Sequence, residues 1–304
     1  GANALDEAAV RRIFAAKQRD PNDPLIVHLT SAADLPRVVQ AVPPPAAALA
    51  ARFWPGPLTL VLPKLAVVPD AATAGLDTVA VRVPSHPVAQ AVIQAAGVPI
   101  AAPSANLSGR PSPTDAQDVL ADMDGVIDGV VDGGSAQVGV ESTVVDCTGP
   151  TPVVLRPGGI TLEALEAEVG VAELDPALAG DQTPKAPGMK YRHYAPKAPL
   201  WVVEGEQAPA RLVRAVQQQM LAGRRVGALV SIETAEQLPE GVITFVYGSR
   251  GDAAALAEAL YRLLRAFDRT PADWLVAEGV GEAGLGLAAM NRLRKAAGWQ
   301  IIRT

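Results

Sequence analysis

The spacing of apolar residues predicts a mixture of helices and strands in the first half of the chain. Apolar positions at helical intervals predict a helix over residues 6–17. Strict alternation predicts a strand over 78–83, with three valines on one face and Arg82 on the other. The further expectations are strands near 25–29, 58–62, 98–102, 126–131, 142–146 and 153–156, a helix over 87–96, a helix opened by a capping box of Thr114 and Gln117, and a helix capped by Thr161 and ended by Gly170.

The end of the chain has a more regular pattern, in which strands and helices alternate. The expected elements are strand 200–204, helix 209–222, strands 225–230 and 242–247, helix 253–267, strand 274–277 and helix 287–297. Such alternation predicts a small open α/β sheet with mostly parallel strands. A stretch with five prolines and no apolar periodicity precedes it, which is typical of a linker. We therefore expect domains at 1–173 and 200–304, joined by a linker at 174–199.

Composition narrows the class of protein. The chain has 304 residues, enough for one large or two ordinary domains, and 49% of them are hydrophobic. No apolar run approaches the ~20 residues that a membrane span needs, and no signal peptide is visible at the start. Cys147 is the single cysteine, which excludes an internal disulfide and a cysteine-cluster metal site. We expect a cytoplasmic protein.

Charge and motif searches exclude several functions. A net charge of −6 argues against non-specific polyanion binding by the whole surface. The chain has no Walker A motif and no GxSxG elbow, and its three histidines lack zinc-site spacing. Residues 279–284 match GxGxxG, but no acidic residue follows Glu282. An ordinary glycine-rich loop is therefore favoured there over a dinucleotide site.

Several cations and polar loops are candidates for one binding cleft. Lys17 extends the apolar stripe of its helix and Arg19 follows in a polar loop, although a solvated helix end is the favoured interpretation when these two are taken alone. Arg82 on a strand needs an anion, either a structural carboxylate or a substrate. Three polar loops at strand ends, 103–109, 139–143 and 156–159, complete the set. The residues predict a cationic, hydroxyl-lined cleft for a small phosphorylated or carboxylated ligand.

An ordered set of motifs carries a family resemblance. They are KQR at 17–19, PLIVH at 24–28, FWPGPLT at 53–59, VRVP at 81–84, APSANLSG at 102–109, ESTVVD at 141–146, LRPG at 155–158, APGMKYRHYAP at 186–196 and GLGLAAMNRLRK at 284–295. Together they resemble the L-threonylcarbamoyladenylate synthase family in its long, two-domain form. The resemblance implies a YrdC-like catalytic domain with a twisted mixed sheet, followed by a smaller Rossmann-like α/β domain.

The resemblance also implies a reaction. Enzymes of this family are nucleotidyltransferases that form threonylcarbamoyl-AMP and pyrophosphate from L-threonine, bicarbonate or CO2, and ATP. Mg²⁺ is carried with ATP, no protein side chain binds a metal, and no organic cofactor is expected. The product passes to a separate tRNA threonylcarbamoyl transferase, so we expect neither direct tRNA binding nor membrane association.

Site residues follow from the resemblance alone. The catalytic residues would be Lys17, Arg19, Ser104 and Asn106. Those expected at ATP are Arg19, Asp23, Thr78, Ser104, Ser112, Arg156, Arg192 and Tyr194. Those expected at threonine are His28, Arg82, Ala102 and Ser142. Lys190 and His193 would belong to a lid over the site.

Two departures from the family pattern accompany the resemblance. Position 23 is usually asparagine, whereas this chain has Asp23. The family also has a preceding segment that ends in Thr-x-Thr-Val-Tyr-Gly-Leu, and this chain begins at Gly1, just after it. A polypeptide without that segment would lack one threonine-binding residue and the first strand or two, and we expect it to have weak or no activity.

Two alternatives belong to other functional classes. An RNA-binding module would use the same cationic concavity, but the net charge of −6 and only four residues each of Phe, Trp and Tyr weigh against it. A carbamoyl-phosphate-dependent carbamoyl-adenylate enzyme would be a relative of the same fold. The lack of acylphosphatase-like and zinc-finger-like segments disfavours it.

Overall fold

The computed structural model describes residues 1–136, 138–179 and 194–303, which form two compact units. The first unit contains Gly1–Ser108, Asp115–Ser135 and the described part of Glu141–Lys190. The second contains Gly109–Thr114, the described part of Ala136–Val140, and the chain from residue 194 onward. Two short segments from the middle of the chain therefore belong with its end, a division that differs from a simple cut at 174–199.

The first unit is built on a mixed sheet of eight strands. Its strands are β1 (Ala2–Asn3), β2 (Ile26–His28), β3 (Leu58–Pro63), β4 (Thr78–Arg82), β5 (Ile100–Ala101), β6 (Thr143–Asp146), β7 (Val153–Arg156) and β8 (Glu173–Leu174). Its helices are α1 (Glu7–Lys17), α2 (Pro44–Phe53), α3 (Asp70–Thr73), α4 (Pro87–Ala96), α5 (Ala116–Met123) and α6 (Leu162–Val169), with 3₁₀ turns at Ala32–Arg37 and Pro176–Ala179. The strand order is β1-β5-β2-β4-β3-β6-β7-β8. The β2–β4 and β3–β6 pairs are parallel, whereas β3–β4 and β6–β7 are antiparallel.

Helices α1, α2 and α6 pack on one face of this sheet. Val10 of α1, Leu49 of α2 and Leu165 of α6 pack into one core cluster with inward-facing strand residues such as Val81. The opposite face carries a small separate cluster, formed by Ile26, Val61, Ala80, Val144 and Leu155. Because side chains alternate along a strand, the polar residues in step with this second cluster share its face.

Local sequence signals explain where the helices begin and end. The Asp6 carboxylate accepts hydrogen bonds from the backbone of Ala8 and Ala9, and thereby fixes the start of α1. Thr161 caps α6, which ends at Gly170 as predicted. The capping box predicted for α5 is wrong by one residue, because the Asp115 carboxylate accepts from the amide of Asp118 and is the cap.

Other predictions of the first half need correction. No strand forms at 126–131, where Val126 and Val131 are largely exposed and Gly125 has a positive φ of 73°. A strand there would place its valines against no partner, and glycines interrupt the run. Helix α2 was missed because it begins in a run of prolines, which are compatible with a helix only in its first turn.

The second unit is an open sheet of five parallel strands. Its elements are β9 (Leu200–Glu204), α7 (Ala208–Leu221), β10 (Val226–Val230), α8 (Ile232–Ala235), β11 (Ile243–Val246), α9 (Ala253–Phe267), β12 (Trp274–Glu278), α10 (Gly286–Ala296) and β13 (Ile301–Arg303). The strand order is β11-β10-β12-β9-β13, with every pair parallel. Helices α9 and α10 contribute to one core cluster and α7 to another. The predicted parallel α/β sheet is confirmed, and β13 is a strand that the apolar pattern did not predict.

The residues that the structure describes include no helix long and apolar enough to cross a membrane. They also include no group of three His, Cys, Asp or Glu side chains placed to hold a metal ion.

Candidate active site

A row of paired residues crosses the sheet face opposite the one on which α1, α2 and α6 pack. His28 on β2 pairs with Arg82 on β4, and Arg82 pairs with Thr59 on β3. Thr59 pairs with Val144 on β6, which pairs with Arg156 on β7 beside a register shift. Register partners on adjacent strands point to the same face, and five strands at ~4.8 Å spacing span about 19 Å. The row is therefore long enough to contact more than one small molecule.

Arg82 lies in this row without a carboxylate partner among the described residues. Its Nε donates to the carbonyl of Gly56 at 3.0 Å, and the side chain is half-buried. Burial, followed by the nearby Arg156 cation, lowers the pKa of Arg82 to about 10, so the guanidinium is still charged at neutral pH. The sequence left open whether Arg82 pairs with a structural carboxylate or with a substrate. No structural carboxylate pairs with it in the part of the chain that the structure describes. A ligand carboxylate fits this cation.

Arg156 and Ser142 form the neighbouring part of the row. The Arg156 guanidinium donates to the Ser142 carbonyl at 2.9 and 3.1 Å, and to Ser142 Oγ at 3.1 Å. Ser142 Oγ lies 2.7 Å from Thr59 Oγ1. A polar chain thus joins Arg156, Ser142 and Thr59 beside Arg82. No role was expected for Thr59, although a buried threonine within an apolar strand was the available signal.

His28 occupies the other end of the row. Its Nδ1 lies 3.3 Å from the carbonyl of Ile100, and the ring is half-buried. Burial, followed by the Arg82 cation, lowers the pKa of His28 to about 3. The imidazole is therefore neutral at physiological pH and offers a hydrogen bond without adding charge.

Lys17 joins the end of α1 to the loop that follows β5. Its Nζ donates to the carbonyl of Asn106 at 2.5 Å and also to the carbonyl of Ser104. The Ser108 amide donates back to the Lys17 carbonyl at 3.0 Å. The Lys17 side chain is buried, so the solvated helix end favoured for it alone is wrong. The structure brings together Lys17, Ser104 and Asn106 as a group.

Burial also changes the protonation of this lysine. Burial, followed by the neighbouring Arg19 cation, lowers the pKa of Lys17 to about 7. The Asp122 and Asp23 carboxylates oppose that shift. The Lys17 ammonium is consequently only partly protonated near neutral pH, and a bound anion would favour its charged form.

Arg19 is held by Asp23 in a buried ion pair. Its guanidinium lies 2.8 Å from the Asp23 carboxylate, and each side chain is 5% exposed. The guanidinium also donates to the carbonyls of Asp23 and Pro24, both at 3.1 Å. Asp23 therefore neutralises one of the predicted ATP-binding cations in this structure. Its contact with a nucleotide stays a prediction.

The remaining predicted residues fall in three places. Thr78 begins β4 on the same face as Arg82, four residues away and thus about 13 Å along the strand. Ala102 follows β5, and its amide donates to the carbonyl of Ile26. Ser112 and Tyr194 belong to the second unit, where Tyr194 is 1% exposed and its ring lies 5.1 Å from that of Tyr261. The predicted ATP residue Arg192 and the predicted lid residues Lys190 and His193 lie outside the described residues.

Two family models match successive parts of the chain. Residues 1–158 match the Sua5/YciO/YrdC family model, described as "Telomere recombination". Residues 160–298 match the model described as "Threonylcarbamoyl-AMP synthase, C-terminal domain". A threonylcarbamoyl-AMP synthase of Pyrococcus abyssi is 49% identical over 100% of this chain and 88% of its own length. The chain belongs to the threonylcarbamoyl-AMP synthase family. The resemblance drawn from the ordered motifs is thereby confirmed.

Further relatives of this family extend the agreement. The threonylcarbamoyl-AMP synthase of Bacillus subtilis is 48% identical over 100% of this chain and 87% of its own length. The crystal structure of Pyrococcus abyssi Sua5 complexed with L-threonine has a TM-score of 0.94 and 48% identity, and covers 100% of this chain and 88% of that one. The two-domain α/β architecture expected of the long form is confirmed.

Proposed function

We propose that this protein is an enzyme that makes threonylcarbamoyl-AMP and pyrophosphate from L-threonine, bicarbonate or CO2, and MgATP. The observation that carries the proposal is Arg82, a half-buried cation that has no carboxylate partner among the described residues and lies in a polar row with His28 and Thr59. Threonine offers the carboxylate and the hydroxyl that such a row would bind. The Pyrococcus relative of this fold binds L-threonine, which supports the same substrate here.

At the proposed threonine end of the site, Arg82 would make the charged contact. Arg82 would bind the substrate carboxylate, because a guanidinium donates two parallel hydrogen bonds to such a group. Ser142 Oγ and the neutral His28 ring would contact the remaining polar groups of the amino acid, with Ala102 beside them. Since His28 carries no charge, the substrate amine meets no added repulsion before it is carboxylated.

On this proposal, ATP would contact both the Lys17 group and Arg156 at the far end of the row. Lys17, Arg19 and Arg156 would stabilise the negative charge of the phosphates, and Asn106 and Ser104 would fix the loop against them. The predicted ATP contacts are completed by Thr78, Ser112, Asp23, Arg192 and Tyr194. Mg²⁺ enters as part of the MgATP substrate.

The reaction that follows is a displacement at the α-phosphorus of ATP. CO2 adds to the threonine amine, which loses a proton and becomes a carbamate. A carbamate oxygen attacks the α-phosphorus, and the bond from that phosphorus to the pyrophosphate oxygen breaks. Because the carbamate is a weak nucleophile, holding it in line can supply several kcal/mol of the barrier. A lid that includes Lys190 and His193 would exclude water from the labile product.

The product belongs to tRNA modification. Threonylcarbamoyl-AMP would pass to a separate tRNA threonylcarbamoyl transferase, which uses it to form N6-threonylcarbamoyladenosine. On this proposal the protein works in the cytoplasm and has no need to bind tRNA itself.

Omission of each substrate in turn tests the proposal. The protein is incubated with MgATP, L-threonine and bicarbonate, and pyrophosphate release is measured together with the mass of the adenylate. Release that requires all three substrates, with threonylcarbamoyl-AMP as product, is the expected result. Release without threonine, or release only when carbamoyl phosphate is supplied, would overturn it.

A further inference from the structure

The six-residue segment 109–114 is held by the second unit at both of its ends. The carbonyl of Gly109 accepts a hydrogen bond from the amide of Ala195 at 2.9 Å. The carbonyl of Thr114 accepts one from the amide of Ala136 at 2.8 Å. Along the chain, this segment follows directly after the loop whose carbonyls bind Lys17. Its conformation is nevertheless fixed by residues of the second unit.

The middle of the segment is held by one buried arginine of α9. Arg265 is 7% exposed, and its guanidinium donates to the carbonyl of Pro111 at 2.6 Å and to that of Ser112 at 3.4 Å. A planar guanidinium that holds two consecutive carbonyls fixes the orientation of the peptide between them. That peptide leads into Ser112, whose side chain is itself buried.

Helix α9 also holds the residues that bind the far end of the segment. Gly139 lies so close to α9 that a Cβ there would be 2.3 Å from Glu258 Cα, and its φ is +73°. Val140 beside it is buried in the core cluster to which α9 contributes. The residues that follow Ala136, the partner of Thr114, are therefore anchored to the same helix that carries Arg265. The helix provides a fixed platform for segment 109–114.

We infer that Arg265 is a positioning residue for ATP binding, acting through Ser112. The inference rests on the proposed function, in which Ser112 contacts ATP. Within its own unit, helix α9 sets the peptide that presents the hydroxyl assigned to ATP. Arg265 itself touches protein carbonyls rather than substrate, so its effect is on the affinity for ATP and not on the chemical step.

Steady-state kinetics on the full chain test this assignment. The variants are Arg265→Ala, Arg265→Lys and Ser112→Ala, and Arg262→Ala is the matched control because Arg262 is an exposed arginine on the same helix. Hydrogen bonds from a charged donor are worth enough that KM for ATP should rise about 10-fold or more in Arg265→Ala. KM for threonine should change by less than about twofold. Lysine keeps the charge but not the planar fork, so the KM of Arg265→Lys for ATP should lie between those of the parent and Arg265→Ala.

The outcomes separate this assignment from the proposed function. Failure of the parent protein to bind both ATP and threonine would count against the proposed function, whatever the variants do. If the parent binds both but releases no pyrophosphate, dissociation constants for the two substrates replace KM in the same comparisons. A parent that is active, with a folded Arg265 variant whose KM for ATP is unchanged, overturns the positioning role alone. Equal rises in KM for ATP and for threonine, together with a lower melting temperature, would overturn the positioning role in favour of a structural role. If Arg265→Ala does not fold, the same criteria apply to Arg265→Lys.

Discussion

Replacement of Arg82 by methionine should make the protein more stable while it loses its affinity for threonine. The side chain is a half-buried cation with one hydrogen bond to Gly56 and no carboxylate partner among the described residues. Such a charge costs folding free energy, and on the proposed function the threonine carboxylate supplies the missing anion. Methionine has a similar length and no charge to desolvate.

The magnitude follows from the pKa of Arg82. Burial, followed by the Arg156 cation, lowers that pKa from the usual range of an arginine to about 10. A lowered pKa of a cation means that folding disfavours its charged form, so the cost is present at neutral pH and is relieved only as the pH rises above 10. At about 1.4 kcal/mol per pKa unit this cost amounts to at most about 3.5 kcal/mol. The lost hydrogen bond to Gly56 offsets about 1 kcal/mol. The net gain of at most roughly 2.5 kcal/mol corresponds to a rise in melting temperature of about 5 °C.

Thermal melts with and without threonine, together with kinetics, check both halves of this prediction. The KM for threonine should rise about 100-fold, since two charge-assisted hydrogen bonds are lost. Threonine should no longer raise the melting temperature. Arg11→Met is the control, because Arg11 is exposed and its ion-pair partner is Glu7 on the same helix. An Arg82→Met protein that melts several degrees below the parent, or that still binds threonine normally, would refute the reasoning.

Three further predictions concern the nucleotide end and the lid. Because the pKa of Lys17 is lowered to about 7, kcat/KM for ATP should fall as the pH rises above about 7. The Lys17→Arg variant should give a flat pH profile of kcat/KM. A variant whose pH profile is the same as that of the parent would exclude Lys17 as the titrating group. Asp23→Asn removes the counter-ion of Arg19, so urea unfolding should show that the free energy of unfolding falls by about 3 kcal/mol. Bound ATP should largely restore it. A variant that is as stable as the parent without ATP would contradict this prediction. Replacing His193 and Tyr194 with alanine should lower turnover or release free product, and unchanged kinetics would rule out a lid there.

The elements with strong periodicity could be predicted from the sequence alone. Helix 253–267 and strand 200–204 have the predicted bounds, because each presents an unambiguous apolar pattern to the core. The errors fall where pattern and context disagree. Valines at 126–131 suggested a strand that finds no partner in the sheet. Strand β13 (Ile301–Arg303) was missed because three residues are too few to show a period.

The candidate site was predictable residue by residue but not as an arrangement. Arg82, Ser142 and Arg156 stand out as polar residues at strand positions, yet they lie far apart along the chain. They form one row only because the strand order β2-β4-β3-β6-β7 departs from the order along the chain, which no local pattern encodes. Thr59 enters the row for the same reason.

Arg265 shows a different limit of sequence reasoning. On an amphipathic helix an arginine is normally expected to face solvent, and the apolar stripe of α9 gives no sign of what the buried guanidinium binds. Its partners are backbone carbonyls of Pro111 and Ser112, which any residue type would provide. Contacts to backbone leave no signal in the sequence of the partner segment.

The assignment of segments 109–114 and 136–140 to the second unit has a consequence for dissecting the protein. The proline-rich stretch is the natural place to divide a clone, but a cut there leaves both segments on the wrong piece. The amino-terminal fragment would carry them without the groups that hold them, including the guanidinium of Arg265. The carboxy-terminal fragment would expose the α9 surface that Gly139 now covers. Each fragment would keep its own sheet but would lack contacts that it makes in the whole protein. Inactivity of a fragment would therefore say little about which half performs the chemistry.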